Sequence, residues 1–166
     1  MENKDLMSAL VKELRAEYMA SKKCLERIPE TLYEYKPHPR STNMGYLSLL
    51  VADIPKWITI MIEKGEIDFA SYGHFELKAT QDLVDHFEAN FQSAIKSLEN
   101  VTEEQLERIF FLKNNDEILF EIKTRDNLAV TINHWIHHRG QLTVYMRLND
   151  IPVPSLYGPS ADERQF

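Results

Sequence analysis

Large apolar side chains recur at three-, four- and seven-residue intervals in four separate segments of this 166-residue chain. Prolines separate several of them, and this spacing is what most restricts the fold. The first segment, from about Asp5 to Ile28, carries Leu6, Leu10, Leu14, Tyr18 and Leu25 on one helical face. Pro29, Pro37 and Pro39 then break the period, so Pro29 to Ser41 is expected to be an extended and turning connection. A second helix is expected from Asn43 or Thr42 as cap, through Leu47, Leu50, Val51, Ile54, Ile58 and Met61, with Pro55 inside it as a source of a kink. Gly65 to Ala79 lacks a period and reads as a loop.

The third helix runs from about Thr80 to Leu98, with Leu83, Phe87, Phe91, Ile95 and Leu98 inward. Thr102-Glu103-Glu104-Gln105 is a capping box, with Val101 and Leu106 placed as its hydrophobic staple, so a short extra helix starts there. Ile109 to Leu112 and Ile118 to Ile122 are rich in β-formers around Asn114-Asn115-Asp116, which suggests a small hairpin, with further helix as the alternative. The last long helix is expected from Thr124 or Asp126 to Leu148, with Leu128, Ile132, Trp135, Leu142 and Met146 in the core and Asn149 and Pro152 ending it. The proline-containing tail from Ile151 to Phe166 must be non-helical and should pack through Val153, Leu156 and Tyr157.

The implied fold class is all-α, a four-helix bundle with a short extra helix or small hairpin before the last long helix, formed as a single domain over residues 1–166. A net charge of −7 opposes the basic field that a phosphate backbone requires, so nucleic acid is not an expected partner. The polar start lacks a signal-peptide core, and no run of about 18 uninterrupted apolar residues follows, which reads as a cytoplasmic protein without a membrane partner. The single cysteine, Cys24, agrees with a reducing compartment; with no histidine near it in sequence it reads as a buried small side chain rather than a nucleophile.

The residues most able to carry chemistry lie in Asn133-His134-Trp135-Ile136-His137-His138-Arg139-Gly140-Gln141. One helical turn separates His134 from His138, a spacing that lets two imidazoles bind one divalent ion, whereas His137 points elsewhere. Asn127, Thr131, Gln141 and Tyr145 extend this face as a polar stripe, and Gly140 suggests close approach by another element. Arg139 has two readings, as a partner of the helix C-terminus or as a bidentate site for an anionic substrate group; Arg147 fits the first. His38 reads as structural, capping a carbonyl, while His74 and His86 read as surface residues. Trp57 and Trp135 read as core or dimer contacts, and the glutamates from Glu99 to Glu107 as a solvated face.

These residues carry a family likeness. The run from His134 to Leu148 resembles the last-helix signature of the DinB-like proteins, a bacterial superfamily of four-helix bundles. Tyr35-Lys36-Pro37-His38-Pro39, Ile54-Pro55-Lys56-Trp57, Pro152-Val153-Pro154 and Tyr157 to Glu163 resemble one subgroup, so the likeness covers nearly the whole chain. It implies a divalent metal, such as zinc or nickel, held by one histidine of the second helix and a His-x-x-x-His pair of the last. His134 and His138 match the pair, but Leu50 stands where the third histidine should be, and Asp53 and Tyr46, one turn either side, are the candidate replacements.

Two functions follow from this resemblance. The first is a metal-dependent enzyme of thiol S-transferase or thiol-dependent isomerase type, with a low-molecular-weight thiol as cofactor and Arg139, Gln141 and Tyr145 as substrate-binding residues. The second is a small-ligand-binding or dimeric interaction module that kept the fold and lost the metal. The likeness also implies a homodimer. DNA binding is suggested only by the family's name, which refers to DNA damage, and the charge argues against it.

Overall fold

The computed structural model describes residues 2–73, 75–115 and 117–164. Helix α1 spans Glu2–Leu25, α2 Met44–Glu63, α3 Thr80–Glu99, α4 Glu103–Glu107 and α5 Thr124–Leu148. Strands β1, Glu66–Asp68, β2, Ile109–Asn114, and β3, Glu117–Lys123, form one sheet in the order β1-β2-β3. The molecule is therefore mainly helical, and the all-α expectation needs correcting by this sheet. Both the short helix and the hairpin expected before α5 form. β1 was hidden because three residues are too few to show a period, and parallel pairing with β2 holds it: Ile67 lies opposite Leu112.

Helix α1 packs against α3 and α5, and α2 packs against the same two, so α1 and α2 stand diagonally across the bundle. The long connection Pro29–Ser41, which includes a single 3₁₀ turn at Glu30–Leu32, makes that diagonal possible. The core comprises the predicted inward residues of α3 and α5 together with Leu10, Leu14, Leu25, Val51, Ile54, Ile58 and Met61. In α1 the stripe is rotated slightly from the expected one: Met7 is buried while Leu6 is 37% exposed. Helix α2 is long and apolar enough to cross a membrane by length and composition, but 67% of that stretch is buried inside the bundle, which marks it as the core helix.

Capping follows the sequence closely. The Asn43 side chain accepts from Tyr46 N at 2.8 Å to start α2, and Thr102 and Gln105 form the reciprocal box that starts α4. The glycine that matters most to the backbone is Gly65, with φ +79° just past α2. A Cβ there would lie 2.6 Å from Arg108 Nε, and Arg108 Nη2 in turn donates to the last-turn carbonyl of Ile62 at 2.5 Å. Gly140 corrects the expectation of close approach, since a Cβ there would meet nothing within 4 Å.

The tail lies across α1 and α5. Asp162 pairs with Arg147 at 2.5 Å and accepts from Val153 N at 2.8 Å, while Glu163 pairs with Arg27.

Candidate functional site: a histidine pair between α2 and α5

Tyr46, Leu49, Leu50, Asp53 and Trp57 fall at helical spacing on one face of α2, and that face looks across at His134 and His138 of α5. Phe69 and Tyr72, from the connection after β1, close the third side of a cavity of about 250 Å³. Leu50 therefore sits in the same wall-lined space as the two histidines, where the resemblance places the third imidazole. Trp57 Nε1 donates to the Tyr72 hydroxyl at 3.0 Å. Burial first, and the Asp53 carboxylate next, push the Tyr72 phenol up, so it stays protonated.

The two imidazoles converge. Their Nε2 atoms lie 2.7 Å apart, and His138 Nδ1 is 2.8 Å from Gln141 Oε1. An amide oxygen only accepts, so His138 carries its proton on Nδ1 and presents a lone pair at Nε2, to which His134 Nε2–H donates. Burial, followed by the neighbouring His138 and His137, pulls the His134 imidazole below its usual value and keeps it neutral at pH 7.

This arrangement does not fit the three-histidine metal set. Two imidazoles on one tetrahedral ion at about 2.0–2.1 Å would have nitrogens about 3.3 Å apart, whereas these are at hydrogen-bond distance. The third position is the hydrocarbon of Leu50. Asp53, 4% exposed, already holds His86 Nε2 at 2.6 Å through Oδ1. Among the described residues no group of three or more His, Cys, Asp or Glu converges as an ion site.

Of the other expected site residues, Gln141 orients His138 and does not line the cavity. The Tyr145 hydroxyl donates to Thr42 O at 3.1 Å, tying α5 to the start of α2. Arg139 departs furthest from both of its readings: it is 1% exposed, pairs with Glu17 at 2.5 Å and donates to the Tyr157 hydroxyl at 2.6 Å, inside the bundle between α1 and the tail. Its position one residue beyond His138 turns it about 100° around the helix, away from the cavity.

His86 also corrects its surface reading, since it is half-buried, stacks on Phe75 at 4.0 Å and binds Asp53, with Asn90 donating to Ala52 O at 2.9 Å beside it. The available signal was Asp53, the first charged residue in the apolar run from Met44, which needs a partner when buried. His38 accepts from Arg40 N at 3.1 Å rather than capping a carbonyl. His74 lies outside the described residues. The buried Cys24 thiol is pushed up to about 11 by desolvation, which makes it inert at neutral pH.

A helical bundle that turns a His-x-x-x-His pair of its last long helix toward a cavity beside its second helix is DinB-like in architecture. The model of the DinB family matches residues 1–165, and the chain belongs to that family. Two crystal structures share the fold. One is a DinB-like protein, YjoA, of Bacillus subtilis, with TM-score 0.70, 21% identity and coverage of 95% of this chain and 99% of that one. The other is a DinB-like protein of Bacillus cereus, with TM-score 0.66, 19% identity and coverage of 90% and 97%. A 36-residue stretch is 50% identical to the uncharacterized protein YrdA of Bacillus subtilis (strain 168) and spans 22% of each chain.

Proposed function

We propose that this DinB-family protein binds a small organic ligand in the cavity between α2 and α5, with the His134–His138 pair as its hydrogen-bonding and proton-transferring centre and no requirement for a metal ion. The observation that carries this reading is Leu50, an apolar wall residue facing two imidazoles that already satisfy one another. A ligand group can break into this pair by donating to the His138 lone pair, by accepting from His134 Nε2–H, or by both, and the His138 lone pair is the place that can take a proton. Gln141 supports the pair by holding the His138 tautomer. Metal-dependent thiol transfer or thiol-dependent isomerisation, the chemistry suggested by the family resemblance, would need a donor at position 50.

Titration with zinc and nickel tests this. The wild-type protein is expected to bind either ion only weakly, and Leu50→His is expected to tighten binding by orders of magnitude, as a third imidazole completes the set. Stoichiometric, tight metal in the wild-type protein would overturn the reading and restore the metal-dependent one.

A further inference from the structure

A second cavity, of about 210 Å³, adjoins the first and shares Trp57, Phe69 and His134 with it. It lies beneath the sheet. Leu112 pairs with both Ile67 and Phe120 across the strands, so these three side chains share the sheet face that roofs it, and Phe110, two residues from Leu112, joins them. Met61 of α2 and Val130 and Thr131 of α5 form its floor. None of its described lining residues carries a formal charge, and the Thr131 hydroxyl is spent on Asn127 O at 2.9 Å, within its own helix. Among the described residues, Asp53 is the sole carboxylate lining the first cavity, and no lysine or arginine lines either space.

We propose that the ligand is an amphiphile: an uncharged or cationic hydrogen-bonding head sits at His134 and His138, and an unbranched apolar body passes His134 into the space beneath the sheet. This rests on the cavity being the binding site. Phe69, 42% exposed at the boundary of the two cavities, is the shared residue with most room to move aside. The wall chemistry sets the head: aromatic rings and the buried Asp53, whose Oδ1 is held by His86, favour an amine or alcohol over an anion in a partly dehydrated space. The apolar roof and floor set the body, since a methylene moved there from water meets mainly hydrocarbon, the polar lining beside it being Asn127 and the locally satisfied Thr131 hydroxyl.

The test titrates the full-length protein with butyl, hexyl and octyl amines and alcohols and with octanoate, following the His134 and His138 ring signals by NMR and affinity by calorimetry. Affinity is expected to rise roughly fourfold per added methylene, and octanoate to bind at least about tenfold more weakly than octylamine. Val130→Trp, which fills the floor from a half-exposed position, is expected to flatten the chain-length series from butyl to octyl. Octanoate binding as tightly as octylamine, or a chain-length gain that survives Val130→Trp, overturns the proposal while the cavity reading stands. If no amine or alcohol perturbs the two histidines, the cavity reading itself fails.

Discussion

At the residue scale, the most informative side chain is Arg139, because its neighbour His138 faces a cavity while it faces the core. Its ion pair with Glu17 is almost fully removed from water, and the Tyr157 hydroxyl bridges both partners, donating to Glu17 at 2.9 Å and accepting from Arg139. Breaking such a pair leaves an uncompensated buried charge, so Arg139→Met is expected to lower unfolding free energy by about 3–5 kcal/mol in urea denaturation. The double variant Glu17→Leu, Arg139→Met is expected to recover much of that loss, because neither charge then remains. Equal destabilisation by the single and double variants would show that packing volume, not charge, dominates. A one-residue step around a helix separates these environments, and no spacing rule says which face meets α1 and which meets the cavity. Hence His134 and His138 were legible as a pair, whereas Arg139 was not legible as a core residue.

At the element scale, the tail is held by carboxylates against basic residues of α1 and α5. Asp162 is kept below the usual carboxylate range, first by Arg147 and then by Val153 N–H; Glu163 is kept low by Arg27 and then by Ser155 N–H. Both values are depressed in the folded state, so the docking they provide is fully present above the ordinary carboxylate value of about 4 and is lost as pH falls through the lowered values. Tail amides of Val153 and Ser155 are therefore expected to gain exchange and protease sensitivity below about pH 4, before the bundle unfolds. A tail that stays protected at pH 3 would place its hold in the apolar packing of Val153 and Leu156 instead. The elements themselves were largely readable: α2 and α4 begin at their Asn43 and Thr102 caps and α3 and α5 close to where their apolar periods put them, because capping and amphipathic spacing are local effects. Strand β1 was not, since only its partner in β2 makes it a strand.

At the scale of the whole molecule, one aromatic cluster joins α1, α3 and α5. Trp135 lies 5.9 Å from Phe87 and 6.4 Å from Phe91, and Tyr18 stacks on Phe87 at 5.6 Å. Phe87→Ala is expected to cost about 3–5 kcal/mol, read as a fall in denaturation midpoint. Trp57→Phe, on the cavity wall, is expected to change stability far less while removing the hydrogen bond to Tyr72. If the two cost the same, the cavity wall is as tightly packed as the core. By itself, the sequence determined the four long helices, the caps of α2 and α4, the inward stripes of α3 and α5 and the convergence of His134 with His138, because each depends on neighbours within about two helical turns. Only the tertiary structure decided that α1 and α2 stand diagonally and that Leu50 and Asp53 share a cavity with the histidine pair. It also decided that Asp53 is already bound to His86 and that the sheet roofs a second apolar space. Those outcomes depend on which faces of distant segments meet, which packing sets and local periodicity does not.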